Sequence, residues 1–500
     1  MINSFLIFAI IFWAVIFAKK LLFWTYLWQL KEYHIGRFID HFRTYKGKRL
    51  ILNWWLLLKV LILFGIYFSA ELIWTEVKIN LVYLAVFVFF LEGALFLKSV
   101  HQGIYKRPII TRKTAVILTT GVSLGVLVIF SLFILEFSLT KFVFPLLFLD
   151  ALAMIFFSAL VLAYQPLAVI LRNRLIKAAK RTRTSCKKLL VIGVTGSYGK
   201  TSTKEYLAAI LSEKFNVLKT REHQNSEVGI SECILNELND RHEIFVVEMG
   251  AYNRGGIKLL CDIVQPKIGV LTGINEQHMA TFGSQENIIK AKYELIESLP
   301  NDGAAFFNGN NQYCQDLFQK TLRRGSGQAM LYGEGASSAH EENLAGAVAV
   351  AEFLGLKQEE VERGVQKIKL SQTGRVKKGA NGIEIIDATY SANPSGVIAD
   401  LDYLKKWSGK KILVMPCLIE LGQSYREVHR RIGKKIGEVC DLAIITTKDR
   451  LKEIREGAPD ALFMEKADEI AEKIKSFAKP GDVVLLESRV PSRVISLLIK

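Results

Sequence analysis

The chain has few cysteines and none of them are paired. Its six, Cys186, Cys233, Cys261, Cys314, Cys417 and Cys440, all follow residue 185, and no two stand in a CxxC arrangement. That pattern excludes a zinc ribbon or a disulfide framework and predicts reduced, mostly buried thiols in a reducing compartment. The N-terminus lacks the basic start and small-residue cleavage site of a secretory leader, so the first apolar run is expected to stay on the protein. The apolar runs within residues 1–170 hold few charges. That scarcity speaks against a transporter or membrane scaffold carrying an ATPase, whose spans would be lined by polar groups.

What is abundant is apolar surface, and it is unevenly spread. Half of the 500 residues are hydrophobic and mean hydropathy is +0.24, too high for an ordinary soluble protein of this size. The excess lies in the first third. Five runs, near 3–29, 51–74, 79–98, 114–136 and 141–164, reach the roughly 20 residues that a bilayer core requires. Lys19 and Lys20 interrupt the first, which would span to that point and continue along the surface. Lys59 and Glu92 interrupt two others, each as a helix-end snorkeller or as an interior polar contact.

The net charge of +17 raises the question of nucleic acid. Much of that charge flanks the apolar runs, so it reads as membrane-flanking, with no nucleic-acid partner. Segment 31–50 has six Lys or Arg, 98–113 has five and 172–188 has eight, while the loops near 75–78 and 137–141 have one each. Positive loops belong on the cytoplasmic side. Five spans then put the N-terminus outside and everything after residue 170 in the cytoplasm, in a multi-pass protein of the cytoplasmic membrane. The basic linker 171–188 is expected to be partly helical and to lie along anionic headgroups.

Beyond the linker comes VIGVTGSYGKTSTKE. KLLVIGV has the pattern of a buried strand, and TSTKEYLAAILSEKF that of an amphipathic helix. Between them Gly196, Ser197, Tyr198 and Gly199 can curl so that backbone N–H groups face phosphate at a helix N-terminus. Lys200 would reach the β- and γ-phosphates of ATP, with Thr201 and Ser202 following and Thr201 placed to hold Mg2+. The strict GxxxxGK[ST] spacing fails because position 194 is valine, which points away from the commonest NTPase families.

The G-x-x-G-K-T-[ST] loop resembles that of the Mur ligases, ATP-dependent amide-bond-forming enzymes of peptidoglycan synthesis. The likeness runs in order from about 189 to 490: HQNSEVGISECIL, EIFVVEMGAYNRGGI, GVLTGINEQHMATFGSQENIIKAKYELIESLP, FFNGNNQY, NLAGAVAVAEFLGL, GRVKKGANGIEIIDATYSANPSG and IELGQSYREVHRRIG. DATYSANP and ELG-x(6)-H look most like the branch that adds D-alanyl-D-alanine. The resemblance implies that a muramyl-peptide carboxylate takes the γ-phosphate of ATP and that an amine attacks the resulting acyl phosphate. Such transfers need cations to neutralise the moving charge.

Two Mg2+ ions are therefore expected. Glu248, at the end of IFVVE, and His278, after GVLTGI, would join Thr201 as ligands. The resemblance implies a carbamylated lysine at Lys292 as a further ligand, with Lys290 the competing candidate. Lys200, His278 and Lys292 are the catalytic candidates. Asn343 matches a family Asn near the adenine, although Ala339 stands where the family tends to carry His and His340 is next. Arg375 and Asp387 match positions reaching ATP from the C-terminal domain, and Tyr390 and Asn393 complete that motif.

Two departures lie where the amine should bind: Pro416 and Cys417 in PCLIELG, and Glu487 in the triplet Glu487, Ser488, Arg489. A larger departure is at the front. Soluble Mur ligases carry a domain gripping the UDP-sugar of the substrate, and only residues 171–188 stand between the apolar region and the phosphate loop.

The expected fold is thus an N-terminal α-helical membrane domain (1–170), the linker 171–188, a central P-loop parallel-sheet ATPase domain (189–301 with part of 302–370) and a Rossmann-like C-terminal α/β domain (371–500). The expected partners are a UDP- or lipid-linked muramyl peptide, D-Ala-D-Ala and the membrane. A membrane ligase for another polymer, such as poly-γ-glutamate, is the nearest alternative, and DATYSANP and IELG argue against it.

Overall fold

A computed structural model describes residues 2–51, 53–69, 75–135, 138–221, 224–325, 327–336, 338–372, 376–379, 382–389 and 393–499. The chain divides into two compact units, Met1–Leu171 and Arg172–Lys500.

The first unit is all helix: α1 (Ile2–Leu30), α2 (Ile35–His41), α3 (Tyr45–Ile51), α4 (Trp54–Phe68), α5 (Thr75–His101), α6 (Arg112–Ile134), α7 (Leu139–Ala151), α8 (Ala153–Ala163) and the start of α9 (Gln165–Ser185). Polar residues set the starts. Asn53 accepts from the Leu56 N–H, and Thr111 and Thr114 form a reciprocal capping box. Five helical stretches are long and apolar enough to cross a membrane: Phe5–Leu30, Tyr45–Phe68, Glu76–His101, Arg112–Ile134 and Ala153–Ser185. Many of their large apolar side chains, such as Leu61, Phe64, Phe87, Val126 and Phe130, face outward. A bilayer would cover such a surface, where water would penalise it.

Inside, two apolar clusters form. One gathers Trp13, Ile16, Ile62, Val86, Phe89 and Leu146; the other gathers Leu21, Trp24, Trp28, Phe38, Ile117 and Phe157. Gly121 lets α6 approach α1 closely, because a Cβ there would stand 2.6 Å from Leu21 Cδ1.

One expectation for this unit changes. α1 runs unbroken past Lys19 and Lys20 to Leu30, and both lysines meet carboxylates within the bundle. The run expected at 141–164 is two helices, α7 and α8, joined at Leu152 (φ −88, ψ 8), with Pro145 inside α7. Lys59 and Glu92 are interior contacts, to each other.

The second unit holds two six-stranded sheets. The first comprises β1 (Leu190–Thr195), β2 (Val217–Lys219), β3 (Ile244–Glu248), β4 (Ile268–Leu271), β5 (Ala304–Asn308) and β6 (Gln328–Tyr332), in the order β2-β3-β1-β4-β5-β6 and parallel throughout. Its central strands are buried along their length, as expected for a sheet covered by helices on both faces. β1 lies between β3 and β4, so the chain reverses direction there. The crevice at the C-terminal ends of these strands is where such sheets bind ligands.

The second sheet has β7 (Val376–Lys378), β8 (Glu384–Ala388), β9 (Lys411–Met415), β10 (Leu442–Ile445), β11 (Leu462–Phe463) and β12 (Val483–Glu487), in the order β11-β10-β9-β12-β8-β7. Among its described strands only the edge pair β7–β8 is antiparallel. Apolar cores lie on both of its faces.

His429 explains why ELG is followed by a histidine at fixed spacing. It is fully buried, accepts from the Leu418 N–H through Nε2 (3.0 Å), and its Nδ1 lies 2.6 Å from the Tyr425 carbonyl. It therefore ties the loop carrying Glu420 to the helix Tyr425–Val439. Burial holds its pKa below the ordinary imidazole value, partly offset by the Tyr425 carbonyl. The stability it supplies is complete above the free imidazole pKa of about 6.5 and is lost as pH falls through its lower folded value. We expect His429→Leu to cost about 1–3 kcal/mol by leaving the Leu418 N–H unpaired, and thermal unfolding of the variant to lose that part of the wild-type acid sensitivity.

Candidate active site

The phosphate loop follows β1, and hydrogen bonds to the chain after β4 hold its shape. Ser197 N–H donates to the Gly273 carbonyl (2.7 Å), Asn275 N–H to Ser197 Oγ (3.2 Å), and the Thr272 hydroxyl to the Tyr198 carbonyl. Asn311 donates to the Tyr198 hydroxyl (3.2 Å) and the Ile274 carbonyl (3.0 Å), while its Oδ1 caps the helix Gln312–Arg324. Gly199 ends the loop at φ +79, and a Cβ there would meet the Asn343 side chain. The helix α10 (Lys200–Leu211) then starts with Thr201 and Ser202 half-buried in its first turn.

Lys200 Nζ folds over the loop and donates to the Gly196 carbonyl (2.8 Å). Burial lowers its pKa, and the charge of Glu248 partly restores it. Glu248, at the end of β3, is buried; Oε1 accepts from Asn225 (3.0 Å) and Oε2 lies 3.4 Å from the buried Lys204.

His278 follows β4 in left-handed backbone at φ +65, a conformation that non-glycine residues hold at a cost and that concentrates at functional sites. Its Nδ1 lies 2.8 Å from Glu420 Oε2, and its ring meets Tyr252 edge-on at 4.9 Å. Glu420 is also left-handed, at φ +66, and its carbonyl accepts from the Ala280 N–H (3.1 Å).

Lys290 and Lys292 part company on the helix Gln285–Glu297. Lys290 is half-exposed and pairs with Glu286 (2.5 Å) one turn away. Lys292 is buried, 5.9 Å from the Phe282 ring centroid. Its pKa falls to about 7, chiefly by burial and then by the charge of Lys200. His278 is held below its ordinary value by burial, with Glu420 opposing and the charges of Lys292 and Lys200 adding. Lys200, Lys292, His278 and Glu248 thus share one electrostatic environment, rich in basic side chains.

The C-terminal sheet brings a second group of residues. Asp387, at the end of β8, accepts from the Thr389 hydroxyl (2.7 Å) and Lys377 (3.1 Å). Burial alone would raise its pKa, but these bonds hold it below the usual value. Asn393 is buried and caps the helix Pro394–Leu404 through the Gly396 N–H (2.8 Å). Asn275, from the first sheet, donates to Asn393 Oδ1 (3.3 Å) and Ser395 Oγ (2.9 Å).

Ser488 is buried after β12, with its hydroxyl donating to Glu487 Oε1 (3.2 Å), while Arg489 is exposed. Glu487 is buried, and its pKa is pushed well up by burial and by Asp400. Cys417 is buried against Thr447, with its thiol pushed up to about 11 mainly by burial.

Asn343 lies behind the phosphate loop, with Oδ1 accepting from the Thr203 hydroxyl (3.2 Å), and His340 Nδ1 lies 2.8 Å from the Tyr206 hydroxyl. Arg375 and Tyr390 lie outside the described residues. Sequence reasoning missed Asn275, Glu420 and Lys204 as members of this site. Asn275 and Glu420 stood inside quoted motifs, but nothing in their spacing showed that they would meet across the two sheets.

Family models match this unit along its length. Residues 194–377 match the Mur ligase middle domain and 374–489 match the model described as "Mur ligase, glutamate ligase domain", which together is more than half of the chain. Among curated proteins, the chain is 29% identical over 327 residues to a UDP-N-acetylmuramoyl-tripeptide--D-alanyl-D-alanine ligase of Synechocystis, covering 60% of this chain and 71% of the relative. It is 29% identical over 332 residues to the ligase of that name in Bacillus subtilis, covering 60% and 72%. Among solved structures, MurF from Acinetobacter baumannii aligns with a TM-score of 0.58 at 26% identity, over 65% of this chain and 79% of that one. MurF from Thermotoga maritima in complex with ADP aligns at 0.54 and 25% identity, over 65% and 83%.

The lowered pKa of Lys292 makes a signed prediction. A lysine whose folded pKa is depressed contributes full stability only above the free value of about 10.4, and that stability is lost as pH falls toward about 7. In CO2-free buffer, Lys292→Met should therefore be more stable than wild type at pH 7. The difference in melting temperature should shrink as pH rises toward 10.

Proposed function

Because this chain belongs to the Mur ligase family, we propose that it joins D-Ala-D-Ala to a muramyl peptide at the cytoplasmic membrane, using ATP. The observation that carries this reading is a phosphate loop with Lys200 folded over it, beside half-buried His278 and buried Lys292, whose charges act on one another. Convergent basic groups in a partly desolvated cleft are what a transferring phosphoryl group requires.

The donor set fits ATP and Mg2+. Among the described residues no three His, Cys, Asp or Glu cluster as a ready cation cage. Mg2+ does not need one, since it is commonly held by one or two carboxylates, water and substrate phosphates. Thr201, Glu248 and His278 would hold two ions, together with Lys292 once it carries a carbamate. The neutral amine is the form that adds CO2, and a pKa near 7 supplies it. Bound Mg2+ would supply charge neutralisation at the phosphates.

The chain's own groups divide the remaining work. Gly196–Gly199 and the start of α10 cradle phosphate, and Lys200 follows the γ-phosphate. A peptide carboxylate oxygen bonds to the γ-phosphorus as the bond to ADP breaks. The free amine of D-Ala-D-Ala then attacks the acyl phosphate carbon, loses a proton and expels phosphate. In this reading Arg375 and Asp387 serve ATP, Tyr390, Asn393, Ser488 and Arg489 serve the substrates, and Asn343 backs the nucleotide site. The helical unit holds the ligase where its precursor is made or used, which admits a UDP-linked or a lipid-linked acceptor.

The test is ADP release by the purified full-length protein with UDP-muramyl tripeptide and D-Ala-D-Ala, with the product weighed. A product heavier by the dipeptide less water is expected, and Lys200→Ala should lower the rate by at least about a hundredfold. ATP turnover without that product would overturn the substrate assignment. Running the lipid-linked acceptor in parallel decides between the two forms, and preference for the soluble nucleotide would exclude the lipid-linked one.

A further inference from the structure

The helical unit gathers five ionisable side chains, three of them buried, in one layer contributed by four helices. Lys19 and Lys20 come from α1, Lys59 from α4, Glu92 from α5 and Asp150 from α7. They form an alternating chain. Lys19 bonds to Glu92 (2.8 Å), Glu92 to Lys59, Lys59 to Asp150 (2.5 Å), and Asp150 to Lys20 (2.6 Å). Lys20 also donates to the Asp150 carbonyl (2.8 Å), at the break between α7 and α8. The apolar clusters around Trp13 and around Trp24 both belong to this same bundle, so the surroundings are dry.

Two features separate this layer from a closed structural staple. The first is its count. Fully ionised, it has three positive charges and two negative ones. An excess charge inside an apolar bundle is costly unless a partner meets it. The second is where the excess sits. Lys59, Glu92 and Asp150 have side chains only 1%, 6% and 1% exposed, whereas the terminal lysines, Lys19 and Lys20, are 29% and 19% exposed. Both ends of the chain are thus cationic and reach the outside of the bundle. An ammonium has three donors, and among the described contacts Lys19 uses one and Lys20 two.

The surroundings indicate which side the layer serves. The Tyr105 hydroxyl donates to the Lys19 carbonyl, and Gln29 pairs with the backbone of Ile109 (2.9 and 2.8 Å). The loop after α5, which carries Lys106 and Arg107, therefore runs along α1 from Lys19 to Gln29. That loop is one of the basic segments that face the cytoplasm under the positive-inside rule.

We propose that this layer binds one phosphodiester headgroup of an inner-leaflet lipid through Lys19 and Lys20. A single phosphodiester has one negative charge, which balances the layer, and its oxygens accept the unused lysine donors. Basic sites between helices on the cytoplasmic side suit such headgroups. This inference does not rest on the ligase reading, and its readout is lipid binding, so the two can fail separately.

The experiment uses full-length protein in neutral detergent, titrated with phosphatidylglycerol or phosphatidylcholine and followed by native mass spectrometry and thermal shift. Inorganic phosphate and pyrophosphate form a separate arm. Salt at about 1 M shortens the Debye length to about 3 Å and suppresses attraction to exposed basic loops, while a dry site is screened far less. Phosphatidylglycerol should bind at least about tenfold tighter than phosphatidylcholine and keep that preference in high salt. Lys19→Gln, which balances the layer at two charges of each sign, should abolish the high-salt preference. Lys19→Arg should retain it, as should the loop variant Lys106→Gln/Arg107→Gln. The proposal is overturned if wild type shows no preference in high salt. It is equally overturned if folded Lys19→Gln and Lys20→Gln proteins keep that preference, or if free phosphate gives the same shift as the lipid.

Discussion

The desolvation of lysine constrains both halves of this protein. An ammonium moved out of water must meet an anion, lose its proton or hold its charge at a cost. In the ligase unit Lys292 is buried with no described carboxylate bonded to it, beside the charge of Lys200, and its pKa falls to about 7. In the helical unit Lys59 is as deeply buried, but Glu92 and Asp150 both bond to it. The same residue type therefore does opposite things. In one place it gives up its proton near neutral pH, and in the other it binds three helices together.

The candidate active site depends on contacts between two sheets that fold from separate stretches of chain. His278–Glu420, Asn275–Asn393 and Asn275–Ser395 cross from the strand ends of the first sheet to the loops of the second. His278 and Glu420 both hold left-handed backbone where they meet. Such strain persists only where its surroundings over-determine it. Here His429 fixes the loop before Glu420, and the chain after β4 is bonded to the phosphate loop. A motion that parted the two sheets would break these contacts together.

Much of this was legible from local pattern. The strand, glycine loop and helix around Lys200 occupy consecutive residues, and backbone geometry alone links them to phosphate. The apolar runs located four of the five helical stretches that are long enough to cross a bilayer; the fifth is Ala153–Ser185, displaced from the run at 141–164 and reaching into the expected linker. Lys290 and Lys292 are different in kind. They are two residues apart on one helix, so they face different directions, and only packing against Phe282 and the strand ends buries one and leaves the other in solvent. The break at Leu152 was hidden because both flanking helices are apolar, and hydropathy does not register a change of axis.

By itself the sequence determined the class of each segment, the position of the phosphate loop and the identity of the groups that could carry charge, because these follow from composition and short-range periodicity. Tertiary structure decided which charges meet. Lys19 and Lys20 were read as the end of a span; three-dimensional packing made them the ends of a five-membered ionic layer, 73 and 130 residues from the partners they bond. Glu420 found His278 across 142 residues in the same way. The energy of an ion or hydrogen bond depends on distance and local dielectric, and only the folded chain sets either one.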